Sequence, residues 1–297
     1  MMSDVSLMPH REQTAAAHSA ARGRVVVDGI SKAYTIGTHR EQILENCTLT
    51  LEAGKLTVLI GPSGCGKSTL INILAGYETA DAGSLSIDGQ RISGPSSDRL
   101  VVFQETALFP WMTTYQNIVY GPTVQRVRSR KDIDAEAASL LDKVGLREFR
   151  DKYPSQLSGG MQRRAELARA MINNPRLMLL DEPFRGLDAM TRELMQEYFL
   201  KLYEEKRQTV LFVTSEIDEA IFLADTIVLM SNKPGHMIKP MPIDLPRPRD
   251  PQILTSEAYL LYKEEALDIL HEEALRAFDG GSQSAADFVE AYGRRDE

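Results

Sequence analysis

The stretch Gly61-Pro62-Ser63-Gly64-Cys65-Gly66-Lys67-Ser68 decides the fold. Its spacing is G-x-x-x-x-G-K-[ST], the loop that wraps a phosphate between a buried strand and a helix. Both flanks agree. Leu56–Ile60 is a short apolar run that reads as the strand, and 69–74 reads as the opening of the helix. Glycines let successive main-chain amides turn inward around phosphate oxygens, and the helix N-terminus adds positive potential. Gly61, Pro62, Ser63, Gly64, Cys65, Gly66, Lys67, Ser68 and Thr69 are therefore the candidate nucleotide-binding residues. Lys67 is expected on the β- and γ-phosphates of ATP, and the Ser68 hydroxyl on Mg²⁺.

A second string supplies the remaining chemistry. Leu177-Met178-Leu179-Leu180 is a buried-strand pattern that ends in Asp181-Glu182. Open α/β sheets bind ligands at the carboxyl ends of their strands. Asp181 is expected in the Mg²⁺ shell, and Glu182 is expected to orient or deprotonate the attacking water. Strands often end in solvated acids, so the loop at 61–68 gives this pair its meaning.

The rest of the chain sets limits. Its 297 residues are 43% hydrophobic and 26% charged, which is ordinary globular composition. A net charge of −8 speaks against a broad nucleic-acid surface, so no nucleic-acid partner is expected. No apolar run approaches the ~18 residues of a membrane span. Residues 1–22 show no apolar signal core and read as a tail, and Cys47 and Cys65 are too few for a disulfide framework. These features predict a chain that stays in the cytoplasm. Short β-branched runs at 25–27, 56–60, 85–87 and 100–103 give way to helical spacing between Gln104 and Gly160, including 134–144. Strands return at 177–180, 209–213 and 226–230, predicting a doubly wound core interrupted by a helical subdomain. Prolines 240, 242, 246, 248 and 251 make 240–251 an extended connector. Beyond it, 257–278 reads as a helix with a stripe of Leu260, Leu267, Leu270 and Ala274. That helix packs on the core, pairs with another protomer, or binds a regulator.

Between the two strings lies Leu157-Ser158-Gly159-Gly160-Met161, which looks like the signature motif of the ATP-binding subunits of ABC transporters. The resemblance runs from about residue 24 to 250. It implies an α/β fold: a P-loop NTPase core with an N-terminal antiparallel β subdomain and an inserted α-helical signature-motif subdomain. The implied divisions are a tail at 1–22, an ATPase domain at 23–240 with its helical subdomain at about 105–165, and a connector with C-terminal extension at 241–297. Ser158 and the amides of Gly159 and Gly160, at a helix start, form a second anion site. In this family that site caps the ATP of an opposite protomer, so two ATPs sit between head-to-tail chains. Tyr34 resembles the aromatic that stacks on adenine. Gln104 resembles the Q-loop glutamine, a ligand of Mg²⁺ and water that senses the membrane partner. Asp188 resembles the D-loop aspartate at the dimer interface.

Two positions depart from the family pattern. Arg185 stands where a small residue is typical, either altering the interface or pointing to solvent. Ser215, in Val213-Thr214-Ser215-Glu216, stands where the family carries a histidine that contacts the γ-phosphate. A serine hydroxyl is shorter and uncharged, so Ser215 joins Glu182 and Gln104 in the catalytic set with its contribution to hydrolysis open.

The segment Leu108-Phe109-Pro110-Trp111-Met112-Thr113-Thr114 and the connector Leu245-Pro246-Arg247-Pro248-Arg249-Asp250 resemble importers of nitrate, sulfonate, taurine and related small anions. This implies an ATPase subunit bound to integral-membrane permease subunits at the cytoplasmic face of the inner membrane. A periplasmic or extracellular substrate-binding protein and a second ATPase protomer complete the set. Phe109 and Trp111 are candidate contacts for the permease, or else core aromatics. A soluble ABC ATPase without a permease is the rival reading. A P-loop kinase is weaker, because it leaves 157–161 unexplained.

Overall fold

The computed structural model describes residues 22–126 and 128–279. The expected tail therefore lies outside the described residues, but for Arg22. The chain opens with β1 (Val25–Ile36) and β2 (His39–Leu51), paired antiparallel. β3 (Leu56–Ile60) enters a second sheet and hands over to α1 (Lys67–Ala75). β4 (Ala82–Ile87) and β5 (Gln90–Arg91) return to the first sheet, giving the order β2-β1-β4-β5. β6 (Arg99–Val102) leads into the inserted helices α2 (Thr114–Gln125), α3 (Arg130–Lys143) and α4 (Gly159–Ile172). Then come β7 (Leu177–Asp181), α5 (Ala189–Lys206), β8 (Thr209–Thr214), α6 (Ile217–Leu223), β9 (Thr226–Met230) and β10 (Met237–Pro242). α7 (Glu257–Asp279) follows the connector. The second sheet has the order β10-β9-β3-β8-β7-β6 and is parallel except where β10 runs against β9.

The apolar runs are continuous because this sheet is covered on both faces. Side chains alternate along a strand, so each run feeds two cores. Met178, Leu180, Val210 and Phe212 face the helical side with α4 to α7, while Leu177, Leu179, Leu211 and Val213 face β1, β2 and α1. Fully burying one such side chain stabilises by about 1.5–3 kcal/mol. That two-sided packing fixes the strand ends, and with them the loops that carry the chemistry.

Several elements differ from the sequence expectation, each for a local reason. β1 runs on to Ile36 rather than stopping at residue 27, and β2 goes unread because its exposed positions break the apolar pattern. Pro240 and Pro242 lie inside β10, which an edge strand tolerates because it needs fewer ladder donors. α3 starts at Arg130, where the Ser129 side chain accepts the Asp132 amide, and α4 continues past 165 to Ile172. On α7 the expected stripe holds at Leu270 and at Leu267, which packs against the core, but not at Leu260. Tyr259, Ala266 and Leu270 are buried, whereas Leu260 is exposed. The Tyr259 hydroxyl donates to Asp218 of α6, and Lys263 pairs with the same carboxylate at 2.7 Å. α7 thus packs on the core; the side chain of Ala274 lies outside the described residues.

The connector has a specific task. Arg249 donates to the carbonyls of Ile221, Phe222 and Ala224 at 2.8, 3.2 and 2.9 Å, and Arg247 donates to that of Leu223 at 2.7 Å. Two side chains therefore satisfy the orphan carbonyls at the end of α6. Arg247 also pairs with Asp225 at 2.8 Å and Glu204 at 2.7 Å. Burial would raise the Asp225 carboxyl, but the Leu56 amide and Arg247 outweigh it and hold the group below its ordinary value.

Candidate functional site

The loop between β3 and α1 is built around glycine. Gly66 precedes α1 at φ 106°, and a Cβ there would stand 2.6 Å from Leu44 Cδ2. Gly64, at φ 78°, faces open space. Only glycine adopts these angles freely, and the loop amides are left accessible. Lys67 is buried, and its ammonium donates to the carbonyls of Gly61 and Pro62 at 2.8 Å each. A cation is thereby fixed over the loop. Burial pushes the Cys65 thiol up despite Lys67, and the side chain packs in the core with Leu44 and Leu70.

Asp181 ends β7 opposite Val213 of β8 and shares a hydrogen bond with the Ser68 side chain. Burial and the charge of Glu182 push the Asp181 carboxyl up, against Ser68 and Lys67. Glu182 turns the chain at φ 44°, its amide donating to the Val213 carbonyl at 3.0 Å. Phe184 anchors this turn, packed on Phe212 and Phe199 with ring centres 5.6 and 6.4 Å away. Arg185 Nη1 lies 2.8 Å from Glu182 Oε2. Of the two departures, then, Arg185 neither faces solvent alone nor stays clear of the carboxylate.

Tyr34, Ser63, Gly64, Gly66, Lys67, Ser68, Thr69, Gln104, Asp181 and Glu182 converge on one cavity of about 310 Å³, joined by Ile43 and Arg185. Gly61, Pro62 and Cys65 are buried behind its wall. Tyr34 is half-buried, with its hydroxyl donating to Glu78 and the Lys32 ammonium 5.4 Å from its ring centre. Burial and that hydrogen bond push its phenol up. Ser68 and Asp181 form a hard oxygen pair beside the glycine cradle, which suits Mg²⁺ held partly by phosphates and water. Among the described residues no cluster of three or more His, Cys, Asp or Glu converges elsewhere on a metal position.

The other expected residues stand apart from this cavity. Ser158 caps α4 by accepting the Met161 amide at 3.3 Å; it and Gly159 are exposed. Gly160 lies against α5, where a Cβ would meet Thr191 Cγ2 at 3.1 Å. Asp188 caps α5 through the Thr191 amide at 3.0 Å, and its bonds to Thr191 hold its carboxyl below the usual range. Ser215 is half-buried just after β8 and does not line the cavity.

Sequence reading missed a clamp between α4 and the segment after β6. Arg163 donates to the carbonyls of Phe103, at 2.9 Å, and Gln104. Glu166 accepts the Ala107 amide at 3.0 Å and pairs with Arg163 at 2.5 Å, and Arg169 donates to the Ala107 carbonyl at 2.8 Å. Burial pushes the Glu166 carboxyl up, opposed by Arg163. Charges at 163, 166 and 169 on a helix with apolar neighbours were the available signal.

A groove of about 770 Å³ opens beside α2, lined by Trp111, Tyr115, Gln116, Tyr120, Val124 and Arg150 among others. Trp111 is 69% exposed. Phe109 is half-buried beneath it, with ring centres 5.5 Å from Trp111 and 4.9 Å from Tyr120. Asn117 fixes the loop, accepting the Phe109 amide at 2.8 Å and donating to the Phe109, Met112 and Thr113 carbonyls at 3.1 Å. Phe109 is therefore the support and Trp111 the presented surface. No helix among the described residues is long and apolar enough to cross a membrane.

Comparison with known proteins gives the family. The ABC transporter family model matches residues 44–185. The aliphatic sulfonates import ATP-binding protein SsuB of Bacillus cereus is 42% identical over 243 residues, 82% of this chain and 94% of that protein. The taurine import ATP-binding protein TauB of Escherichia coli K12 is 41% identical, covering 73% and 89%. The bicarbonate transport ATP-binding protein CmpD of Synechocystis sp. is 41% identical, covering 83% and 89%. Among solved structures, a dimeric ATP-binding cassette in a post-hydrolysis state bound to ADP and Pi superposes with a TM-score of 0.64 at 29% identity. The superposition covers 74% of this chain and 99% of that one.

Proposed function

The chain belongs to the ABC transporter family of ATP-binding subunits, and from that premise we propose that it hydrolyses ATP to drive import of a small anion. One observation carries the reading: Lys67, Ser68, Asp181 and Glu182 share a cavity, while the helix start at Ser158 stays exposed outside it. Lys67 and the loop amides take the ATP phosphates, and Tyr34 offers its ring to adenine. Ser68 and Asp181 hold Mg²⁺, which when bound neutralises charge on the β- and γ-phosphates. Gln104 and Glu182 orient a water, and Glu182 takes its proton as the oxygen attacks the γ-phosphorus. The bond to the bridging oxygen breaks, and ADP leaves with that electron pair.

A second protomer presents Ser158, Gly159 and Gly160 to the same ATP, and Asp188 crosses between the chains. In this reading the Trp111 groove receives a segment of an integral-membrane permease at the cytoplasmic face, with a substrate-binding protein on the far side. The named sulfonate, taurine and bicarbonate relatives support a small anion as cargo. Glu182→Gln tests the chemistry. Hydrolysis should be lost while ATP binding persists and an ATP-dependent dimer accumulates in gel filtration. Near-normal turnover would remove Glu182 as the base.

A further inference from the structure

Arg185 lines the same cavity as Lys67, Ser68, Gln104 and Glu182. Its Nη1 donates to Glu182 Oε2 at 2.8 Å, a single contact between the two side chains. We propose that Arg185 is a positioning residue for hydrolysis, holding one oxygen of Glu182 so that the other faces the attacking water. The proposal rests on the reading of Glu182 as the base.

Three features of the turn support it. First, both ends are fixed: the Glu182 amide bonds to Val213, the Arg185 amide donates to the Glu182 carbonyl at 3.1 Å, and Phe184 is buried between them. The backbone is thus set, and the guanidinium fixes what is left, the swing of the carboxylate. Second, the geometry is end-on. A guanidinium fork on both oxygens would occupy the base, whereas a single contact leaves Oε1 outside the pair. Third, stability does not account for the pair. The Arg185 side chain is 55% exposed, and such pairs add little to folding.

Steady-state kinetics of Arg185→Ala and Arg185→Lys test the idea, together with ATP-induced dimerisation in a Glu182→Gln background. Arg185→Ala should lower kcat about tenfold or more, on the scale that misplacing a reacting group by an ångström costs, with KM changed less than about threefold. Arg185→Lys should recover most of the rate, because one ammonium N–H can make the single contact. In the Glu182→Gln chain, adding Arg185→Ala should leave the ATP dependence of dimerisation within about twofold. An unchanged or raised kcat in Arg185→Ala would overturn the proposal. So would a raised KM at constant kcat, or a weakened dimer in the Gln background, since either points to direct contact with phosphate. Normal turnover in Glu182→Gln alone would instead sink the base assignment.

Discussion

α1 and α4 both begin at glycine-flanked N-termini suited to an anion, yet the fold treats them oppositely. At α1, a Cβ on Gly66 would collide with Leu44, Lys67 is buried, and one cavity gathers the loop with two carboxylates from the end of β7 and the turn after it. At α4, Ser158 and Gly159 stand in solvent, and the serine side chain serves only its own helix cap. The same dipole and amide arrangement is a finished half-site in one place and an offered half-site in the other. Folding completes the first. Under the proposed function, the second is completed by a surface from outside the chain.

Disrupting the buried half should cost most. Lys67→Ala removes the fixed cation and should lose ATP affinity along with roughly a thousandfold in rate, read by nucleotide titration and ATPase assay. Ser158→Arg should cost about a hundredfold in turnover through lost assembly while the isolated chain still binds ATP. Loss of ATP binding by that single chain would break the contrast between the two helix starts. Mixing the two variants sharpens it: only a mixed dimer has one competent site, so activity should return that neither variant shows alone. Ser215→His adds a hydrogen bond toward the phosphate worth roughly 1.5–3 kcal/mol. That predicts a ten- to hundredfold gain in rate at unchanged ATP affinity, and no gain would make Ser215 a neutral replacement. The smallest effect is a control on exposure itself. Leu260→Ser, on the open side of α7, should change stability by less than about 0.5 kcal/mol in thermal unfolding.

Local strings carried what the sequence could tell. The loop at 61–68, the pair Asp181-Glu182 and the helix start at 158–160 are each contiguous, so their chemistry can be read without knowing the fold. The α4 clamp could not be read that way, because Arg163 and Arg169 bond to main-chain carbonyls about sixty residues away and backbone carbonyls leave no residue signal. Arg185 is visible in the sequence but its partner is not, since the pairing exists only once the turn at Glu182 has closed. The α7 stripe held at Leu267 and Leu270 and failed at Leu260, because Tyr259, Leu260 and Leu261 are consecutive and helical spacing alone does not choose among them.

The arginines at 247 and 249 bear on where the polypeptide can safely end. A truncated protein stopping at residue 240 would retain every phosphate-binding string yet strip the last carbonyls of α6 and Asp225 of their arginines, and leave Glu204 to Arg207. The autonomous folding unit therefore outruns its motifs. A fragment ending at 240 should expose the flank of the sheet beside α6 and aggregate. One ending at 250 regains both arginines but still bares the core face that Tyr259, Ala266 and Leu270 cover, so only a fragment that keeps α7 should remain soluble and cooperative.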